Sequence, residues 1–270
     1  MLFRSQEDNQ VAVGYVLGLR YANPYLSPYE EFQRFKTHPA IRGVLEWMKV
    51  DQGVEIHHHG DLPARTGLGS SSAFTVGLLH AVHALRGELV SKRALAEQAI
   101  YVEQTVLKEN VGVQDQIQSA FGGLNRIDIR QDSSFEVTPL VVQADRLASL
   151  QNHLLLLYTG LSRHASEIAA EQVATMDQKT SELKAMRAMV DEGERILASR
   201  GSLRDFGRLL HDSWELKRSL SSKIAPASVN EIYDAARKAG ADGGKLLGAG
   251  GGGFMLIFVE PQRRAAVLRA

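Results

Sequence analysis

The stretch Pro63–Phe74, PARTGLGSSSAF, puts two glycines and three serines into six residues, Gly67 to Ser72. An apolar run, AFTVGLLHAV, follows at once. Residues this loose ahead of a good helix former have two uses. A serine can cap the helix by accepting a backbone N–H. Alternatively, the glycines clear room for an anion at the helix N-terminus, where unpaired N–H groups and the helix dipole both point. Serine hydroxyls can also bond phosphate oxygens or ligate Mg²⁺. The stretch alone leaves both uses open.

A second glycine-dense stretch, Gly248–Gly253, runs into FMLIFV. Gly248, Gly250 and Gly253 match G-x-G-x-x-G, but a dinucleotide fingerprint opens a helix, and a strand pattern follows here. The segment GADGGKL, Gly240–Leu246, is one residue short of a P-loop and lacks its Ser/Thr. Neither nucleotide template applies.

Outward from these loops the chain reads as mixed helix and strand. HPAIRGVLEWM (38–48) is helical, and GVEIHHHGDLP (53–63) is extended up to Pro63. Helices are expected at about 72–86 and 92–109, the second with Ser91 as N-cap. VGVQDQIQSAFGG (111–123) reads as a loop and short helix stopped by paired glycines, and LNRIDIR (124–130) alternates as a strand does. HLLLLYTG (153–160) reads as a buried strand, followed by helices at about 164–199, 203–220 and 226–239. Residues 1–37 are poorly patterned: VAVGYVLGL suits a strand or a short helix, and ANPYLSPYEEF a loop. Strands mixed with helices give an α+β chain in two lobes, residues 1–150 and 151–270.

Of the 270 residues, 44% are hydrophobic, and 31 Lys plus Arg balance 31 Asp plus Glu. This balance gives no basic field for nucleic acid. Cysteine is absent, which excludes disulfides, thiolate metal sites and cysteine nucleophiles. No apolar run approaches the roughly 20 residues of a membrane span, and the N-terminus lacks a signal-peptide core. A soluble, cytoplasmic protein without membrane partners is expected.

Glu103 breaks its helix pattern. At about 100° per residue, Leu95, Ala96, Ala99, Ile100, Val102, Val106 and Leu107 share one side, and Glu103 falls among them. An inward carboxylate needs a partner, so it is either a buried ion pair or a metal or catalytic group. Asp115 follows in GVQDQ, between Gly112 and the glycines at 122–123. Serines, an inward Glu and a nearby Asp are what a Mg²⁺–phosphate site with a general base requires. His57, His58 and His59 suit a metal less well, because successive strand residues alternate faces. Trp47 and Trp214 sit in helical patterns as core residues. The alternating charges of residues 178–195 suit a solvated helix face.

The constellation resembles the GHMP kinases. Their second motif, P-x-x-x-G-L-G-S-S, is matched by Pro63, Gly67, Leu68, Gly69, Ser70 and Ser71. Their third, K-x-x-G-A-G-x-G-G, is matched by Lys245, Gly248, Ala249, Gly250, Gly252 and Gly253. Several stretches are similar to the heptose 7-phosphate kinases of that family: DLPARTGLGSSSAFTVGLLHA, VGVQDQIQSAFGGLNRI, YTGLSRHASEI, LLHDSWELKRSLSS and GGKLLGAGGGGF. The resemblance covers about 38–260. It implies a ribosomal protein S5 domain 2-like N-terminal lobe and a ferredoxin-like C-terminal lobe, without the first N-terminal strands or the C-terminal end.

The resemblance further implies an ATP-dependent kinase whose acceptor is a phosphorylated heptose, with the anomeric hydroxyl as the receiving atom. Pro63 and Gly67 to Ser72 would wrap the ATP phosphates. Ser71 and Glu103 would hold Mg²⁺, and Asp115 would orient or deprotonate the acceptor hydroxyl. Gly112, Gln114, Thr159, Arg163, Gly248, Gly250, Gly251 and Gly252 would lie on the acceptor side. A homodimer is compatible with it. The family's first motif, an Arg- and Gly-rich turn ending in Thr-Asp, has no counterpart in residues 1–37. That leaves a truncated start or divergence, and it keeps two further readings open: a non-catalytic ATP-binding module, and a kinase for galactose or fucose.

Overall fold

The computed structural model describes residues 15–17, 38–51, 54–56, 58, 67–161 and 176–270. The chain divides into two compact units, residues 1–64 with 69–122, and residues 65–68 with 123–270. The division falls at Gly122–Gly123, whereas the sequence suggests a boundary near 150. The reason is a set of contacts from 126 and 146 into the later helices, described below.

In the first unit, β1 (Tyr15–Leu17) pairs antiparallel with β2 (Val54–Ile56). α1 (Pro39–Trp47), α2 (Ser70–Leu85) and α3 (Lys92–Tyr101) form the helical layer with α4 (Gln114–Phe121). α2 is apolar almost all round and buries Phe74, Val76, Leu78, Leu79, Ala81 and Val82. Such a helix belongs at the centre of a core, and α2 packs there with Ile41 and Val44 of α1 and Leu95 and Ala99 of α3. Ser91 caps α3, its hydroxyl accepting from Ala94 N at 3.1 Å, as its sequence position suggests. Trp47 is only partly buried at the edge of this core, its ring 5.8 Å from that of Tyr101.

The helix expected to run to 109 changes character at Val102. Residues Val102–Val106 form a π-turn, a wider winding frequent at functional sites. α4 ends as expected, at Gly122 and Gly123, both with positive φ.

In the second unit, β3 (Asn125–Ile129) and β4 (Phe135–Pro139) form a hairpin with Ile127 opposite Val137. β4 and the next helix, α5 (Ala144–His153), go unread in the sequence, FEVTP being only five residues long and ADRLASLQNH mostly polar. Arg126 of β3 pairs with Asp128, Asp191 and Glu194. Arg146 of α5 donates to the carbonyls of Ile196 and Leu197. These bonds tie the hairpin and α5 to α6 (Thr180–Ala198), so the second unit begins before residue 150. They also show that the alternating charges of α6 serve as partners for Arg126 as well as facing solvent.

β5 (Leu154–Tyr158), β7 (Phe254–Phe258) and β6 (Gly243–Leu246) form an antiparallel sheet in the order β5-β7-β6. β5 is not the buried strand its leucines suggest. It lies at the sheet edge, with Leu156 45% and Tyr158 48% exposed. β7 takes the central place and is almost wholly buried. α7 (Arg204–Ser219) and α8 (Ala227–Lys238) cover the sheet, placing Trp214 and Tyr233 in the core with Ile257 and Met255. α7 approaches β6 so closely that a Cβ on Gly243 would lie 1.9 Å from the Gly207 carbonyl oxygen. A short 3₁₀ turn and α9 (Arg264–Arg269) close the described chain. Among the described residues no helix is long and apolar enough to cross a membrane.

Candidate active site

The glycine–serine loop meets α2 at Gly69, which takes the N-cap position in the left-handed conformation, φ 69°. No side chain caps the helix there. The serine-cap use of this stretch is therefore not the one adopted. Ser70, Ser71 and Ser72 are the first three helical residues, and among the described residues no side chain accepts from the backbone N–H groups of that turn. A Cβ on Gly69 would stand 2.9 Å from Asp115 Cγ, so glycine is what lets the Asp115 carboxyl lie against the loop.

Glu103 lies inside the first unit, 1% exposed, as its place on the apolar stripe suggests. The hydroxyl of Ser72, itself buried, donates to Glu103 Oε2 at 2.9 Å. Gln116 Nε2 donates to the same oxygen from α4. Burial pushes the Glu103 carboxyl up from the usual range, while Thr75, Ser72 and Gln116 pull it back. Glu103 Oε1 is buried and has no hydrogen-bond partner. No cation partners Glu103 among the described residues, and no ion pair is seen there. Once the carboxyl is ionised, an oxygen left without a donor suits a hard cation bound through oxygen ligands, and the fit to Mg²⁺ rests on that orphaned atom.

Asp115 opens α4 beside the loop, and although the residue is exposed, partial burial of its carboxyl raises its pKa. Gly112 and Gln114 flank it, both exposed. The sequence misses Gln116 and the hydrogen bond from Ser72 to Glu103. Ser71 is exposed, and its carbonyl accepts from Thr75 Oγ1 at 3.3 Å. The signal for Gln116 is the Ile that follows it: a helix starting at 114 turns both residues inward, and each is fully buried.

In the second unit the loop 248–253 is pinned on both flanks. Thr159 Oγ1 and the Thr159 N–H both donate to Gly253 O, at 2.8 and 2.9 Å, and Gly253 N donates to Leu161 O. Gly251 N donates to Ile224 O at 2.8 Å, and Gly250 and Gly252 lie against Ile224 and Leu161. Gly67 abuts the start of this loop: a Cβ on Gly67 would lie 2.9 Å from Leu247 O, and one on Gly248 2.7 Å from Gly67 Cα. Lys217 of α7 donates to Leu246 O at 3.1 Å and also to Gly248 O. Leu68 follows Gly67, half-buried. Pro63, Arg163, His57 and His59 lie outside the described residues. His58 is exposed, with its ring 5.2 Å from that of Phe74.

Residues 35–123 match the family model described as GHMP kinases N terminal domain, and residues 194–270 match GHMP kinases C terminal. The chain belongs to the GHMP kinases. Homologues in this family are small-molecule kinases with ATP as phosphate donor. This GHMP kinase is 28% identical over 231 residues to the D-glycero-alpha-D-manno-heptose 7-phosphate kinase of Campylobacter jejuni, spanning 85% of this chain and 68% of that protein. The crystal structure of a D-glycero-D-manno-heptose 1-phosphate kinase from Bacteriodes thetaiotaomicron superposes with a TM-score of 0.59 at 27% identity, covering 86% of this chain and 67% of the other.

The start of the chain is similar to something else. Residues 1–54 match the family model described as ETF-QO, ubiquinone-binding. A 39-residue stretch, 14% of this chain, is 64% identical to the mitochondrial electron transfer flavoprotein-ubiquinone oxidoreductase of Arabidopsis thaliana, of which it covers 6%. The segment in which the kinase family's first motif is missing thus has its similarity in another family.

Proposed function

We propose that this GHMP kinase transfers the γ-phosphoryl group of ATP to the anomeric hydroxyl of D-glycero-D-manno-heptose 7-phosphate. The observation that carries the reading is the first unit's cluster. An uncapped helix N-terminus, a buried Glu103 with one orphaned oxygen, and Asp115 against Gly69 come together within one unit.

The chemistry asked of these groups is positioning and charge neutralisation. The N–H groups of Ser70 to Ser72 and the α2 dipole receive phosphate oxygens of ATP. Glu103 and Ser71 are the residues that would hold Mg²⁺, with Ser72 and Gln116 fixing the Glu103 carboxylate. When bound, the ion neutralises charge on the β- and γ-phosphates. The Asp115 carboxylate accepts the proton of the acceptor hydroxyl as that oxygen bonds to Pγ. The Pγ–O bond to the β-phosphate breaks, and its electron pair leaves with ADP. A raised pKa makes Asp115 a better proton acceptor than an ordinary aspartate, provided it is ionised at the working pH.

The test is ADP release from ATP–Mg²⁺ with and without the heptose 7-phosphate, set beside galactose and fucose. Release that depends on the heptose phosphate supports the reading, and release with another sugar alone moves the acceptor. One observation favours a second reading, an ATP-binding module that transfers nothing: the segment before residue 38 is similar to a ubiquinone-binding family instead of carrying the acceptor motif. ATP binding without release for any acceptor is its expected result.

A further inference from the structure

Lys217, in the last turn of α7, and Lys245, the third residue of β6, have no part in the reading above. On α7 every arginine has an acidic partner: Arg204 pairs with Asp242, Arg208 with Asp205, and Arg218 with Glu215. Lys217 does not. Among the described residues its only hydrogen-bond acceptors are the backbone carbonyls of Leu246 and Gly248, and no carboxylate lies within ion-pair distance of it or of Lys245. Two carbonyls use two of the three ammonium donors and leave one over.

Both amines are also held partly out of water. Burial pushes the Lys217 pKa down to about 7, and the charge of Lys245 pushes it the same way. Burial lowers Lys245 as well. Two dehydrated amines with no carboxylate beside them among the described residues either give up a proton or gain from an anion placed against them. Their place is not neutral ground. Gly67 packs against Leu247 and Gly248, and the Lys217 amine bonds the carbonyls of Leu246 and Gly248, so it stands at the root of the glycine loop; Lys245, whose charge acts on it, lies in the strand that leads into that loop.

We propose that Lys217 and Lys245 form a subsite for a phosphate monoester dianion at the root of the glycine loop. Two point charges on flexible stems suit a compact tetrahedral dianion, and one Lys217 N–H is available to it while the other two hold the loop. The kinase reading supplies two sources for that group, a phosphate already on the acceptor or the terminal phosphate of the nucleotide. The subsite itself does not depend on turnover, so its test reads binding.

The test uses the full chain carrying lysine labelled with ¹³C at Cε, the two signals being assigned with Lys217→Arg and Lys245→Arg. Mannose 6-phosphate, mannose, ADP and inorganic phosphate are titrated in separately, and dissociation constants are taken from the shifts. Movement of both lysine signals by mannose 6-phosphate but not mannose assigns the site to an acceptor phosphate. Movement by ADP alone assigns it to the nucleotide. Lys217→Met and Lys245→Met should each weaken the effective ligand about 10- to 100-fold, as loss of a charge-assisted hydrogen bond does. Lys217→Arg should restore most of that. Because Lys217→Met also releases the loop carbonyls, Lys245→Met, which leaves both Lys217 bonds in place, decides between subsite and loop clamp. Lysine signals that none of the phosphates moves, or full affinity in Lys245→Met, would overturn the proposal.

Discussion

Ser72 Oγ donates to Glu103 Oε2 at 2.9 Å, joining the first turn of α2 to the π-turn that follows α3. The bond fixes a buried carboxylate beneath the helix end that the glycine–serine loop leaves uncapped. It therefore couples the two features that the sequence shows separately, the loose loop and the inward acid.

The first prediction concerns that carboxylate. Glu103→Gln keeps the size and can still accept from Ser72. It should raise the Mg²⁺ concentration for half-maximal ADP release by at least about 10-fold, the low end for disturbing even an indirect metal contact. Its melting temperature without divalent ions should be unchanged or higher, because removing an unpaired buried charge relieves desolvation. A lower melting temperature with unchanged Mg²⁺ dependence would make Glu103 a structural residue only.

Asp115 is expected to behave differently. Asp115→Asn should lower turnover about 10²- to 10⁴-fold, the usual range for losing a general base. Equilibrium binding of ATP should stay within about 3-fold, less than one lost hydrogen bond. Since the Asp115 pKa is raised, the base form is gained only as pH climbs above the ordinary aspartate range. The acid limb of the wild-type rate profile should lie at correspondingly higher pH and should vanish in the variant. Near-normal turnover would remove Asp115 from this role.

Gly248 and Gly87 offer a controlled comparison. Both have positive φ, 67° and 71°, but a Cβ on Gly248 would strike Gly67 while one on Gly87 would meet nothing within 4 Å. Gly87→Ala should destabilise by about 1–2 kcal/mol, the left-handed conformational term alone, with ATP affinity intact. Gly248→Ala carries the same conformational term plus a backbone collision. It should weaken ATP binding as well, because the displaced neighbour, Gly67, is the first glycine of the loop proposed to hold the phosphates. Equal effects on binding would show that the two loops do not depend on each other.

Lys217 sets a pH dependence of stability. Its folded pKa, about 7, lies below the unfolded value of 10.5. Between the two the unfolded chain binds more protons, so the destabilisation due to Lys217 is full below about pH 7 and fades as pH rises to 10.5. Lys217→Met removes this titration. The stability difference, wild type minus variant, should therefore grow from pH 7 to pH 10, measured by urea unfolding at each pH. A flat difference would mean that the Lys217 amine is not perturbed.

Most of the helices were legible because their signals are local. Ser91 before KRALAEQAIY, the paired glycines after QDQIQSAF and the apolar run of α2 each act within one or two turns. The hairpin strand β4 and helix α5 were not, since their patterns are short and carry few large apolar residues; β4 takes its place by pairing with β3, and α5 by the bonds of Arg146 to Ile196 and Leu197. β5 was misread for the opposite reason. Four successive leucines suggest burial on both faces, yet burial depends on neighbours, and β7 rather than β5 received them.

By itself the sequence determined the two glycine loops, the helix that one of them opens, the inward turn of Glu103 and the position of Asp115. Each follows from backbone freedom, helix periodicity or side-chain chemistry inside a short window. Only the tertiary structure decided that Ser72 reaches Glu103, that Gln116 joins it, and that Lys217 holds the glycine loop with no acidic partner among the described residues. Those relations span 31, 13 and about 30 residues of chain. Over such separations it is packing, through the crossing of whole elements, that decides which atoms meet.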